Sequence, residues 1–209
     1  MLPTLEVRWF FVGAVPPDVL AWFQQGENRP AEPFRRVDRY LRLSQGDSLG
    51  IKLREGRLEV KQRQRQFGLV RLHEQVAGIQ EHWRKWSFAL TGSNGAHPGV
   101  ELTASSWDDV HKERKLSRYR IAGDRELIAM SPTQYPSHGC DLELTKVRAA
   151  GEVWWTLSFE AFGDESTLQE NLSLATDKIL GIADPPMLEV ESSYGYPRWL
   201  QILAQRKEA

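Results

Sequence analysis

The residues with most chemistry in this sequence are lysines, arginines and carboxylates set two apart. The segment SLGIKLREGRLEVKQRQRQ, residues 48–66, carries Lys52 and Arg54, then Glu59, Lys61 and Arg63. Lys112 and Arg114 repeat the spacing in DDVHKERKLSRYRIAG, and Glu6 and Arg8 in TLEVRWFFVG. Asp141 and Glu143 do so with opposite charge in CDLELTKVRAAGEVWWTLSFEAFG, where Glu160 sits on the second half. A strand points alternate side chains to opposite faces, so residues two apart share a face. Cations gathered on such a face can hold phosphate oxygens through charge-assisted hydrogen bonds, and carboxylates can hold a divalent metal. Lys and Arg dominate the middle strands here, and carboxylates the first and last. The plainer reading of each strand alone is a sheet that is apolar inside and solvated outside.

Other candidate sites carry less. Of the five histidines, His73, His82, His97, His111 and His138, only the first two come near each other, and nine residues apart fits no helical metal pair. All five read as surface residues. One cysteine, Cys140, excludes an intrachain disulfide and a Cys-rich zinc site. Asp141 beside it raises its pKa, so packing is its expected role. GSNG at 92–95 lacks the Lys-Ser/Thr of a phosphate-binding loop and reads as a turn. KQRQRQ at 61–66 reads as strand with inward basics rather than a nucleic-acid contact, because the alternation continues from residue 58. Trp83 and Trp86 read as core packing rather than base stacking.

The chain that must position these groups has 209 residues, 41% of them hydrophobic. That suits a single domain over 1–209, with a tail from residue 185 onward that packs as a short helix or extends. The 27 Lys and Arg nearly cancel the 28 Asp and Glu, so bulk charge gives no push toward nucleic acid or an anionic membrane. Nothing approaches an uninterrupted apolar run of about 18 residues. A cytoplasmic protein with no membrane and no nucleic-acid partner is expected.

Strands are predicted at 4–13, 34–43, 83–90, 100–105, 108–123 and 126–131, with hairpins over 48–66 and 140–163. The first hairpin turns at Glu55-Gly56. A short helix is predicted at 16–26, opened by Pro16 and Pro17. Segment 68–92 reads as strand, helix, strand. An amphipathic helix is predicted at 164–181, with Ser166 and Gln169 as a capping box and Gly181 at its end. The tail holds one last short helix. Many antiparallel strands with few helices make the class α+β. So few helices cannot bury a flat apolar sheet face. A sheet curled into a barrel can, with its polar face lining a wet lumen and its apolar face covered by helices and loops.

Several segments resemble the CYTH-like fold of the triphosphate tunnel metalloenzymes, in the same order along nearly the whole chain. GIKLREGRLEVKQR is similar to that family's basic R-x-R strand and the L-x-x-K strand after it, and DVHKERKLSRYRIAG to its V-x-K-x-R strand. CDLELTKVRAAGEVWWTLSFEAFG resembles its final hairpin, the helix at 166–180 the helix that follows, and SSYGYPRWL its closing segment. The resemblance implies an eight-stranded antiparallel β-barrel, a tunnel with flanking α-helices. It implies that Lys52, Arg54, Lys61, Lys112 and Arg114 bind phosphate, and that Glu143 (or Asp141) and Glu160 bind Mg²⁺ or Mn²⁺. The family's first strand is Glu-x-Glu-x-Lys. Depending on register, this chain has Glu6-Val7-Arg8-Trp9-Phe10 or Leu5-Glu6-Val7-Arg8-Trp9 there, and in the first register Arg8 stands in place of the second carboxylate. An arginine repels a divalent metal and attracts the anion.

The function expected on these grounds is recognition of a triphosphate- or polyphosphate-bearing small molecule, a nucleotide included. Arg8, Lys52, Arg54, Lys61, Arg63, Lys112 and Arg114 would clamp the anion, and Glu6, Glu143 and Glu160 would form what remains of a metal site. Metal-dependent hydrolysis is the further step the resemblance implies. The alternative from another class is a non-catalytic barrel acting as a ligand-binding or protein-interaction module. A lipocalin-like barrel is a third reading, and predicts the reverse parity, with Leu and Trp inward and charge outward.

Overall fold

The computed structural model describes residues 2–25, 33–43, 46–90, 106–123 and 125–208. Period-two alternation becomes strand wherever the sequence predicted it within those limits. The elements are β1 (Leu2–Val12), α1 (Pro17–Gln24), β2 (Phe34–Leu41), β3 (Leu49–Arg54), β4 (Arg57–His73), β5 (Val76–Ala89), β6 (Trp107–Ile121), β7 (Leu127–Met130), β8 (Gly139–Ala149), β9 (Glu152–Phe162), α2 (Leu168–Leu180) and α3 (Tyr196–Glu208). The expected strand at 100–105 lies outside the described residues.

Strands pair in the order β2-β3-β4-β5-β1-β9-β8-β6, and β6 pairs back with β2. The result is a closed eight-stranded antiparallel barrel in an α+β protein. β7 stands outside the closure, paired with Arg118–Ile121 at the far end of β6. Two tight turns set much of the register. Glu55-Gly56 (φ 48° and 71°) joins β3 to β4, and Ala150-Gly151 (φ 56° and 82°) joins β8 to β9. Positive φ at both central residues gives the turn whose twist matches that of the strands it joins.

The apolar face of the sheet is the outer one. Leu5, Val7 and Trp9 of β1, Leu142 and Leu144 of β8, and Leu157 and Phe159 of β9 all point outward. They are buried against Leu168, Leu172, Ala175 and Ile179 of α2 and Val19, Trp22 and Phe23 of α1. Burial of each large side chain contributes about 1.5–3 kcal/mol, so the helices hold the barrel from outside. The residues between them, Glu6, Arg8, Asp141, Glu143, Ser158 and Glu160, therefore face the lumen. This is the parity opposite to a lipocalin-like barrel.

One end of the lumen is stopped. Phe10, Tyr40, Val110, Val147 and Trp154 turn in there and pack on Trp199 and Leu203 of α3. Trp199 stacks on Phe10 at 5.2 Å, and Tyr196 on Tyr40 at 5.6 Å. The lumen is thus a cup with α3 as its floor.

Three local expectations fail. His82, read as a surface residue, is buried on β5. No helix forms among the described residues 68–90: β4 runs on to His73, and a two-residue turn leads straight into β5. Tertiary pairing overrides local preference there. β5 is clamped between β4 and β1, and a Cβ added at Gly78 would lie 2.6 Å from Val7 Cγ1 and 2.8 Å from Trp9 Cζ2. The capping box at Ser166 and Gln169 is not made either. A 3₁₀ turn over Glu165–Thr167 leads into α2, Thr167 is the cap residue, and the Gln169 side chain instead accepts a hydrogen bond from Gln80 Nε2 at 2.7 Å. No helix among the described residues is long and apolar enough to cross a membrane.

Candidate functional site in the barrel lumen

Strand pairing carries the inward parity of β1 around the barrel. Glu6 pairs with Glu81 of β5 and Glu160 of β9, Arg114 with Thr145, Lys112 with Arg36, and Lys61 with Lys85. All ten residues singled out in the sequence occupy inward positions: Glu6, Arg8, Lys52, Arg54, Lys61, Arg63, Lys112, Arg114, Glu143 and Glu160. They form two charge clusters and one outlier.

The first cluster joins β1, β4, β6, β8 and β9. Arg8 Nε donates to Glu6 Oε1, and its Nη1 donates to Glu143 Oε1 at 3.2 Å and to Thr156 Oγ1 at 3.3 Å. Lys61 Nζ reaches Glu6 Oε2 and, at 3.3 Å, Glu160 Oε1. Arg114 Nε donates to Glu143 Oε2. Burial alone pushes the Glu143 carboxyl up, but Arg114 and Arg8 beside it hold it well below the usual carboxylate range. Burial likewise opposes charge on Glu160, and Lys61 and Arg8 outweigh it, bringing the pKa to about 2.

The second cluster surrounds Asp38, which is fully buried. Arg54 Nε donates to it at 2.9 Å, Lys112 Nζ lies at 3.0 Å, and Lys52 and Arg36 each lie at 3.4 Å. Against the cost of burial, Lys112, Lys52, Arg36 and Arg54 hold the Asp38 pKa far below normal. The lysines respond in kind. Burial, and then the charge of Arg54, bring Lys52 down to about 7. Burial pulls Lys112 well below its ordinary value, only partly offset by Asp38. Lys112 also donates to Tyr40 Oη at 3.0 Å and lies 3.6 Å from the centre of the Tyr196 ring. Glu59 joins this cluster to Lys85 of β5, 3.3 Å away.

Arg63 is the outlier. It pairs with Glu81 at 2.6 Å and with Asp47, beside Trp83. Trp83 itself is 1% exposed, which fits packing rather than base stacking.

Access is graded along the barrel. The Lys85, Lys61, Glu160 and Arg114 side chains are 34, 31, 26 and 20% exposed, whereas Arg8 and Lys112 near the floor are 5 and 3% exposed. Sequence reasoning missed Arg36, Asp38, Tyr40, Glu81, Lys85 and Arg118 as lumen groups. For β2 the signal was present, since Arg36, Asp38 and Tyr40 alternate as the others do. For Lys85 it was present too, since the residue lies on the strand predicted at 83–90, two residues from Trp83. With them the lining holds, among the described residues, ten cations (Arg8, Arg36, Lys52, Arg54, Lys61, Arg63, Lys85, Lys112, Arg114, Arg118) and seven carboxylates (Glu6, Asp38, Glu59, Glu81, Asp141, Glu143, Glu160). The formal surplus among them is three positive charges, and burial pulls two of the cations, Lys52 and Lys112, toward neutrality.

Among the described residues, buried donors without a hydrogen-bond partner line the same space: Trp83 Nε1 and the Ser158 and Tyr196 hydroxyls. Each such orphan costs about 1–3 kcal/mol, and an acceptor-rich anion in the lumen would relieve it.

As they stand, the carboxylates do not offer a divalent metal a free ligand set. Both oxygens of Glu6 and both of Glu143 are taken by Arg8, Lys61 or Arg114, and Glu160 Oε1 is taken by Lys61. Among the described residues, no group of three or more His, Cys, Asp or Glu side chains converges to hold a metal ion. No protein-family model matches this chain, and no curated protein matches it.

Proposed function

We propose that this cup-shaped, CYTH-like barrel binds a triphosphate- or polyphosphate-bearing small molecule, a nucleotide included, through its lumen. Lys85, Lys61 and Arg114 meet the anion first, Lys52 and Arg54 lie behind them, and Arg8 and Lys112 hold the end that reaches the floor. The observation that carries this reading is the surplus of cations inside a closed barrel, beside buried donors that lack acceptors. A phosphate chain offers many acceptors and several negative charges in a slender shape, which is what such a lining recognises.

Hydrolysis assisted by Mg²⁺ or Mn²⁺ requires Arg8, Lys61 and Arg114 to release Glu6, Glu143 and Glu160. If it occurs, Glu160→Gln abolishes turnover and leaves ligand binding intact. The engagement of Glu6 and Glu143 by Arg8 favours a second reading, a non-catalytic barrel that binds its ligand or a protein partner without turnover.

The test is the thermal midpoint of the full chain against inorganic triphosphate, ATP and phosphate, at fixed ionic strength, with and without Mg²⁺. Ligand at a hundred times Kd stabilises by about 2.7 kcal/mol, a shift of roughly 5–10 °C for a chain of this size. Such a shift with triphosphate and not with phosphate is expected. No shift with any polyphosphate overturns the proposal and leaves the protein-interaction reading in front.

A further inference from the structure

We propose that the Arg8 guanidinium stands in for a divalent cation, so that this lumen binds a polyphosphate without Mg²⁺ or Mn²⁺. The inference rests on the polyphosphate reading above and goes past it to how the charge is balanced.

Three observations carry it. Arg8 lies between Glu6 of its own strand and Glu143 of β8, with a hydrogen bond to each. A metal ion bridging those strands would need the same carboxylate oxygens and the same space. Second, the guanidinium is locked in place: it is 5% exposed, its third contact is Thr156 Oγ1, and it lies 5.1 Å from the centre of the Tyr196 ring. A dication entering beside it would meet a fixed positive charge at contact distance, with carboxylates already neutralised. Third, Ser158 pairs with Arg8 across β1 and β9, and its fully buried hydroxyl has no hydrogen-bond partner among the described residues. A phosphate oxygen at Arg8 would find that free donor next to it.

The chemistry agrees with the exchange. A guanidinium is always protonated and presents planar paired donors that match a phosphoryl group. A bridging metal binds the same oxygens only after shedding water and gaining carboxylates. Here the carboxylates serve Arg8 instead, holding it rigid and charged at the lumen floor.

The experiment is calorimetric titration of inorganic tripolyphosphate into the full chain in excess EDTA, then at fixed free Mg²⁺ and equal ionic strength. A parallel titration uses Mn²⁺ alone, read by its electron paramagnetic resonance signal. The proposal expects tripolyphosphate binding in EDTA at least as tight as in Mg²⁺, and no Mn²⁺ bound at millimolar concentration. Arg8→Glu should reverse both: Mn²⁺ binds, and tripolyphosphate binding gains about tenfold or more from Mg²⁺. Binding by the wild-type chain that requires Mg²⁺, or uptake of Mn²⁺ by the wild-type chain, overturns the inference while the polyphosphate reading stands. Failure of tripolyphosphate to bind in either buffer defeats the polyphosphate reading itself and this inference with it. Should Arg8→Glu fail to fold, the two wild-type titrations still decide.

Discussion

Asp38 is the residue whose loss the lumen should feel most. It is fully buried and has Arg54 at 2.9 Å, Lys112 at 3.0 Å, and Lys52 and Arg36 at 3.4 Å. Asp38→Asn keeps the shape and removes the charge. Breaking a buried ion pair costs about 3–5 kcal/mol, because the partner is left as an uncompensated charge. The lower end applies here, since Lys52 and Lys112 are already pulled toward neutrality and can shed their protons. A loss of about 3 kcal/mol lowers the midpoint of a chain this size by roughly 6–12 °C. Thermal unfolding followed by circular dichroism at pH 7 measures it. The pH dependence has a definite sign. The folded pKa of Asp38 is depressed, so its contribution is full above the unfolded value of about 4 and is lost as pH falls below that. The gap between wild type and variant should be wide from pH 5 to 7 and narrow steadily as pH falls below about 4. Tripolyphosphate should narrow the gap at pH 7, as its charge replaces the missing carboxylate. A drop of less than about 2 °C at pH 7, or a gap that does not change with pH, refutes the assignment of Asp38 as the counter-ion of the cluster.

Two further substitutions probe other parts of the argument. Lys52 titrates near 7 in the folded chain and near 10.4 when unfolded, so wild-type stability should rise with pH between those values; denaturant titrations of Lys52→Met from pH 6 to 9.5 should be flatter, and an unchanged slope counts against the burial of that amine. Gly78→Ala places a methyl group 2.6 Å from Val7 Cγ1 and 2.8 Å from Ser193 Oγ, so the variant should lose about 1–3 kcal/mol by overpacking in chemical denaturation; a loss below about 0.5 kcal/mol would mean that the close approach of β5 to β1 is not needed.

What the sequence disclosed followed from which physical rule governed each segment. The barrel lining was legible because a strand has a side-chain period of two, so charge at Lys52 and Arg54 or at Asp141 and Glu143 names a face without any knowledge of partners. The turn at Glu55-Gly56 was legible because Gly56 supplies the positive φ that such a turn needs. Segment 68–92 was not. There Gln80 and His82 are paired with Val7 and Leu5 of β1, far away in sequence, and local preference says nothing of them. The helix cap failed for a related reason: Gln169 had a better partner in Gln80, on a strand 89 residues earlier. The site residues were found as a set, but their mutual pairing was not. Alternation tells that Arg8 and Glu143 share a lumen; only the register of β1 on β9 and β9 on β8 tells that they touch.

That pairing bears on why the charges are there. Eight strands make a lumen that side chains alone can fill, and leucines or phenylalanines would fill it at less cost than buried ions. Each buried ion loses several kcal/mol of hydration, and replacing buried ion pairs with apolar groups is often stabilising. A lining of ten cations and seven carboxylates therefore argues for a role beyond support. The carboxylates act as internal counter-ions. Asp38 alone steadies four cations, and Glu6 and Glu143 steady Arg8 between them. An anion that enters does not fill an empty basic pocket; it competes with these carboxylates for the same donors. On the proposed polyphosphate reading, a compact ligand carrying several charges would win that exchange at several points together where a single phosphate would not, and Lys85 and Lys61, one-third exposed, would be the first to meet it.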